Sequence, residues 1–208
     1  MALIGLISDV HASPEPVAQA MSIFTDAGVE QVYCAGDIAG YMDQLEQTIE
    51  LLQQYNCLSV MGNHDLSYLE KHQQVRSDAV EYLQQLPMYM ETAIEGKSVY
   101  MVHAQPPDEY HGGIKLLDQN AVLMPARLAY WEQMLQSFDH DVLIVGHTHQ
   151  VFAERIGDTL VVNPGSSVFN HCCAILRLPE MSVQTFSLSG KNIEKTWNWA
   201  QHVIYAKK

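Results

Sequence analysis

The chain has 208 residues, 48% of them hydrophobic and 17% charged, which is the material of one ordinary domain with a sizeable core and excludes wholesale disorder. Eleven Lys and Arg stand against 24 Asp and Glu, for a formal net charge of −13. Phosphate binding along a polymer draws on clustered cations, so an extended nucleic acid is excluded as the expected partner.

In chain order, residues 1–9 lack a basic leader and a small-residue cleavage site. They read as the approach to a first strand, Leu3–Ser8, and imply a cytoplasmic chain. No apolar run approaches the ~20 residues that span a bilayer, so no membrane partner is expected. Ser13 followed by Pro14 starts a helix whose apolar face is Val17, Ala20, Met21 and Phe24, and Gly28 ends it. Val32–Ala35 is a second strand. Asp43 with Glu46 resembles a capping box, ahead of a helix face made by Leu45, Ile49 and Leu52. Cys57–Met61, Val99–Val102 and Val142–Val145 read as further strands, with a helix over Arg127–Phe138 before the last. Beyond Gln150 come strands without intervening helices, at Val151–Ile156, Thr159–Val162, Cys172–Leu178 and Ser182–Leu188, which suggests a meander beside the first sheet. Repeats and linkers are absent, so residues 1–208 read as a single α/β domain. In the polar tail from Lys191, an exposed Trp197 or Trp199 would offer a homo-oligomer surface. Cys34, Cys57, Cys172 and Cys173 sit in apolar runs without C-x-x-C spacing and read as small core residues.

Five strands end in polar clusters of metal-ligand type: Asp9 and His11, Gly36-Asp37, Gly62-Asn63-His64-Asp65, His103, and Gly146-His147-Thr148-His149. Ligands of α/β sheets gather beyond the carboxyl ends of strands, so these clusters should converge. Asp9, Asp37, His11, His103, His147, His149 and Asn63 make seven donors. One ion of borderline softness takes about four to six, so seven suit two ions sharing a bridging carboxylate. Any one of these histidines alone reads as structural. Burying the whole set of imidazoles and carboxylates without a cation would be costly.

The series Asp9-x-His11, Gly36-Asp37, Gly62-Asn63-His64-Asp65, His103 and Gly146-His147-Thr148-His149 resembles the calcineurin-like metallophosphoesterases. Asp37-Ile38-Ala39-Gly40-Tyr41 and Asn163-Pro164-Gly165-Ser166 place it nearest the small bacterial and archaeal phosphodiesterase branch. The resemblance implies a four-layer α/β/β/α sandwich of two mixed sheets flanked by helices, with a dinuclear site on its rim. It implies Asp9, His11 and His149 at a first metal, Asn63, His103 and His147 at a second, and Asp37 bridging. His64 would stabilise or protonate the reacting phosphate group, with Asp65 orienting it, so that Asn63 and His64 also contact substrate. Manganese is the expected metal, with iron, nickel, zinc or cobalt as alternatives. With about +4 from two dications, −2 from the two Asp and −1 from a bridging hydroxide, the centre would attract a phosphate anion. In-line attack by that hydroxide would need no protein nucleophile. Ala12-Ser13 and Ala104-Gln105 replace the glycines frequent in the family, and their Cβ atoms are expected to narrow the approach to the metals.

The stretch between His103 and Arg127 is long for a compact domain and reads as a lid, with Tyr110, His111 and Lys115 as candidate leaving-group contacts and Asp108 and Glu109 adding negative charge near the mouth. Only Arg76, Arg127, Arg155 and Arg177 occur, which favours a diester over a doubly charged monoester. The expected substrate is a small phosphoester or nucleotide. The turn at Asn163–Ser166 is expected to hold the ligand loops, and His72, His140, His171 and His202 read as ordinary residues. The alternative is a non-catalytic, retromer-type scaffold of the same fold, against which His64 stands beside Asn63.

Overall fold

Hydrophobic alternation in the first strand sets the layers. In β1 (Ala2–Ile7), Ala2, Ile4 and Leu6 point into one core while Leu3 and Ile7 point into another. The computed structural model describes residues 1–197, and the expectations placed on Trp199 and His202 lie outside them. The remaining strands are β2 (Gln31–Cys34), β3 (Leu58–Ser59), β4 (Tyr89–Ile94), β5 (Lys97–Val102), β6 (Val142–Ile144), β7 (Val151–Ile156), β8 (Thr159–Pro164), β9 (Cys172–Leu178) and β10 (Ser182–Ser187). The helices are α1 (Pro14–Ala27), α2 (Leu45–Gln54), α3 (Asn63–Lys71), α4 (Asp78–Gln84) and α5 (Pro125–Met134).

Two five-stranded mixed sheets form, in the orders β10-β9-β1-β2-β3 and β4-β5-β6-β8-β7. They face each other across a core of Ile4, Leu6, Tyr33, Val60, Met101, Ile144, Val162 and Leu176. On its outer side the first sheet packs Ile7, Cys34 and Ile175 against Val17, Met21 and Phe24 of α1, Ile49 and Leu52 of α2, and Leu83 of α4. The second sheet turns Tyr100, Leu143 and Val161 toward Trp131 of α5 and toward Ile114 and Leu116. This is the α/β/β/α layering that the family resemblance implied. Cys34, Cys172 and Cys173 are fully buried, and burial pushes their thiols up, in keeping with a packing role.

Several elements depart from the sequence-based expectation. The strands after Gln150 are shared between the sheets. The β7–β8 hairpin joins the second sheet because β8, buried along its length, runs parallel to β6 (Val142↔Leu160, Leu143↔Val161). Only β9 and β10 return to the first sheet, β9 antiparallel to β1 (Leu6↔Ala174). No Asp43–Glu46 capping box forms: α2 opens at Leu45 without a side-chain cap. The amides of Met42 and Gln44 bond instead to the carbonyls of His11 and Ala12, at 3.2 and 3.1 Å, which ties the helix entry to a ligand-bearing loop. The helix expected to run to Phe138 ends at Met134. The helices α3 and α4 and the strand β4 were not anticipated: α3 buries only Asp65, α4 has seven residues, and β4 is a half-exposed edge. The start of α1 behaves as expected from Pro14, and Gly28 closes it in the left-handed region at φ 73°. Among the described residues no helix is long and apolar enough to cross a membrane.

Leu6 is fully buried between the sheets. Its truncation in Leu6→Ala should destabilise the fold by about 2–5 kcal/mol, read as a lower urea midpoint, while Gln53→Ala on the exposed face of α2 stays within ~0.5 kcal/mol.

Candidate metal centre

Strand ends from both sheets meet at one rim. Asp9 and His11 follow β1, Asp37 follows β2, and Asn63 and His64 open α3 just after β3. From the second sheet come His103 after β5 and His147 and His149 after β6. Backbone bonds lace these loops together: Asp9 N to Gly36 O at 2.9 Å, His11 N to Asp37 O at 3.0 Å, Ala12 N to Ile38 O at 2.7 Å, and Gly146 N to His103 O at 2.8 Å. The amide of His147 crosses between sheets to Asp9 Oδ2, 3.1 Å. Asp9, His11, Ala12, Asp37, His147 and His149 all have φ between 45° and 64°. Side-chain-bearing residues avoid this region at a cost of about 1 kcal/mol or more each, and such strain gathers at functional sites.

The donor atoms fall into overlapping groups, each within 4.8 Å: Asp9, His11 and His149; Asp37, His103 and His147; and His11, Asp37 and His64. Within the first, Nε2 of His11 and Nε2 of His149 are 3.3 Å apart, and Nε2 of His149 is 3.2 Å from Asp9 Oδ1. In the second, Nε2 of His103 lies 3.4 Å from Asp37 Oδ1. Asn63 Oδ1 joins that group, 3.1 Å from Nε2 of His103 and 2.8 Å from Nδ1 of His147. Outer partners fix two of the rings, since Nδ1 of His103 faces Ala35 O at 2.7 Å and Nδ1 of His11 faces Ala39 O at 3.3 Å, leaving each Nε2 directed inward. Asp9 Oδ2 accepts from Ser8 Oγ at 2.6 Å, whereas buried Oδ1 has no hydrogen-bond partner. An orphaned carboxylate oxygen among imidazole nitrogens and an amide oxygen is a donor set that fits divalent transition metals.

Burial pushes the Asp9 and Asp37 carboxyls up, but neighbouring imidazoles outweigh it, His149 foremost at Asp9 and His103 at Asp37, and both groups sit below the ordinary carboxylate range. Burial pulls His11 and His147 down to about 4, so both rings are neutral at pH 7 with a lone pair to offer. Burial also opposes charge on His103, but Asp37 beside it overrides this and lifts it to about 9. Without a metal, His103 therefore carries a proton at neutral pH.

Two glycines make the packing possible. A Cβ on Gly62 would overlap Asp37 Oδ1 and its backbone nitrogen, and one on Gly146 would overlap Ser8 Oγ and lie 2.8 Å from Asp9 Oδ2. Asp65 is fully buried, and its carboxylate accepts from Ala39 N at 2.7 Å and Gly62 N at 2.9 Å. The expected direct hold on His64 is therefore absent: neighbours i and i+1 diverge on a helix, and Asp65 sets His64 only by anchoring the start of α3. The Asn163–Ser166 turn braces the ligand loops, through Asn163 Nδ2 to Gly146 O at 2.9 Å and Ser166 Oγ to Asp9 O at 2.7 Å.

A cavity of about 510 Å³ opens on this rim, with Asp37, Asn63, His64, His147 and His149 among its lining residues. Lys115 lines it as anticipated, but Tyr110 does not: its hydroxyl reaches 3.7 Å toward Met61 Sδ. The ring of His111 is 6.3 Å from that of His147. The acidic lining residue besides Asp37 is Asp118, in place of the expected Asp108 and Glu109. Ala12 and Ala104 are buried and are not among the residues that line the cavity. Sequence reasoning gave Trp197 only as an oligomer surface and Tyr41 only within the run that follows Asp37, whereas both line the cavity, and it missed Phe169, which packs on both rings.

Residues 2–177 match the calcineurin-like phosphoesterase superfamily domain. The chain belongs to that superfamily. It is 25% identical over 173 residues to phosphodiesterase MJ0936 of Methanocaldococcus jannaschii, covering 83% of this chain and 86% of that one. It is 28% identical over 194 residues to a probable metallophosphoesterase of Methanothermobacter thermautotrophicus, covering 92% and 89%. Among solved structures, the hypothetical protein PH1004 of Pyrococcus horikoshii superimposes with a TM-score of 0.74 at 17% identity, covering 100% of this chain and 92% of that one. As a member of the superfamily, the chain is a metal-dependent phosphoric ester hydrolase.

Gly62→Ala should displace Asp37 and lower divalent-metal affinity at least ~10-fold while the far-ultraviolet circular dichroism stays native, as checked by calorimetric titration. The proton on His103 must leave before a metal can bind, so apparent affinity should rise with pH, close to tenfold per unit from pH 7 toward 9, with about one proton released per chain at pH 7. The same proton stabilises the metal-free fold fully below the unfolded value near 6.5, and that contribution is lost as pH rises through about 9.

Proposed function

We propose that the chain hydrolyses a small phosphodiester or nucleotide at a dinuclear centre. Asp9, His11 and His149 hold one ion, Asn63, His103 and His147 the other, and Asp37 is shared. The observation that carries this reading is the place of Asp37, whose donor atom belongs both to the His103–His147 group and to the His11–His64 group. A single ion would leave several of these inward-facing donors without a role. When bound, two such ions supply Lewis acidity toward phosphoryl oxygens and an activated water for in-line attack.

The protein's own groups do the rest. Asn63 and His64 stand in the first turn of α3, whose positive dipole end favours an anion, and the His64 amide is engaged by Asp37 Oδ1 at 2.8 Å. The His64 ring, 5.0 Å from that of His11, faces the cavity and is placed to give a proton to the leaving oxygen. Lys115 supplies a cation at the wall, while the net charge of −13 disfavours polyanionic polymers. A common inter-sheet core supports reading residues 1–208 as one domain. Manganese stays the expected metal, with iron, nickel, zinc and cobalt compatible with the same oxygen and imidazole donors. The scaffold alternative is disfavoured by His64, which faces the cavity and is not needed to complete either proposed ligand set.

Metal-free protein reconstituted separately with manganese, nickel and zinc should bind two ions per chain and hydrolyse bis-(4-nitrophenyl) phosphate faster than 4-nitrophenyl phosphate. Asp37→Asn and His64→Ala should each lower kcat/KM at least ~100-fold, with His64→Ala keeping both ions. Binding of a single ion would overturn the dinuclear reading, and two ions without turnover would favour the scaffold.

A further inference from the structure

The polar groups on the cavity wall divide into those the fold already uses and those it leaves over. Thr148 Oγ1 donates to Ile114 O at 3.1 Å and accepts from Asn163 Nδ2 at 3.0 Å. The Gln150 side chain accepts from the Leu116 and Leu117 amides at 2.8 and 3.0 Å and donates to Leu117 O at 2.7 Å. Asp118 Oδ1 accepts from the Asn120 and Val122 amides at 2.8 and 2.9 Å. Lys115 and Gln119 line the same cavity, and among the described residues neither side chain has a hydrogen bond or an ion pair.

Lys115 differs from an ordinary surface lysine in how its backbone is mounted. Ile114 and Leu116, on either side of it, are fully buried. The bonds from Thr148 and Gln150 tie the 114–117 stretch to the loop that carries His147 and His149. Gly113, at φ 83°, lies so close to that loop that a Cβ would stand 2.7 Å from Thr148 Cγ2 and 3.0 Å from His147 Cδ2. The lysine is therefore fixed relative to two of the proposed ligands, within the long connection that follows His103. About 510 Å³ is more than the reacting phosphoryl group fills, so the cavity also holds the arm of the ester beyond it. In a chain of net charge −13, an unpaired ammonium anchored at this wall is a local attractor for negative charge on that arm.

Resting on the phosphodiesterase reading, we infer that Lys115 is a specificity residue that, with Gln119, receives a second anionic group on the substrate, away from the reacting phosphoryl. That group is a carboxylate or a phosphate, and the preferred substrate is a compact diester with extra negative charge at one end of its arm.

The test uses 4-nitrophenyl alkyl phosphates on the metal-loaded full chain, with alkyl arms of two, three or four carbons ending in a carboxylate, a phosphonate or a primary amide. All release 4-nitrophenolate, and the amide matches the carboxylate in shape, so the acid-to-amide ratio of kcat/KM reads the charge. At the best arm length that ratio should reach about 10-fold or more at low salt and fall as salt is raised. Which acid leads tells a carboxylate from a phosphate. Lys115→Gln should pull the ratio toward one, with the loss appearing in KM for the acid, and Lys115→Arg should keep most of it. Asp118→Asn, which retains the oxygen that holds the two amides, should raise it. A displaced 113–117 segment would slow acid and amide alike and leave the ratio intact. A ratio of one or less at every arm length, or one indifferent to Lys115→Gln, would overturn the inference while the hydrolase reading stands. Absence of turnover for all these esters and for bis-(4-nitrophenyl) phosphate would overturn that reading and the inference with it.

Discussion

Two carboxylates held out of water govern the architecture. Asp9 and Asp37 are 0% and 1% exposed and lie at the rim where the two sheets meet. Charges buried this way must be met by hydrogen bonds, by cations or by both. The Asp9 side chain takes a serine hydroxyl and a backbone amide on one oxygen, and Asp37 takes the amide that opens α3. What these donors leave unmet is turned toward imidazoles, where cations belong. The left-handed backbone at six neighbouring positions follows from the same demand, because only sharp turns bring side chains from separate strands to one point.

The supporting residues keep those turns from relaxing. Asp65 clamps the Ala39 and Gly62 amides, Asn163 reaches the Gly146 carbonyl and the Thr148 hydroxyl, and Ser166 holds the Asp9 carbonyl. Gln150 fastens the 114–117 stretch by three bonds between 2.7 and 3.0 Å, so that Lys115 is presented from an anchored segment. Rigid placement of this kind is what a metal centre needs, since small displacements of donors translate into large losses of affinity and rate.

Much of this was legible in the sequence because the donors are of chemically distinctive type and sit beside strand-like runs. Asp9, Asp37, His103 and His147 could be placed at one rim from strand ends alone, and the two-sheet layering came with the family resemblance. What the sequence hid follows from physical causes. The partition of β7–β10 between sheets depends on which strand lies beside β6 and which beside β1, and periodicity within a strand carries no information on its neighbours. The family resemblance made Asp65 a partner for His64, but helical geometry sends the two side chains apart. Trp197 read as an oligomer surface because its place at the cavity is set by backbone pairing with residues 149–151, which composition and periodicity do not report.

The antiparallel pairing of β9 with β1 has a temporal consequence. Residues roughly 170 positions apart become neighbours, so β1 emerges from the ribosome with one edge awaiting a partner not yet made. At about 5–20 residues per second that wait is on the order of ten to thirty seconds. During it the first sheet holds only β1, β2 and β3, and the loops after β1 and β2 can already lace together. Among the described segments β9, β10 and the strip that carries Trp197 arrive late, and they both close the sheet and complete the wall of the cavity, so edge and mouth are finished in the same late event.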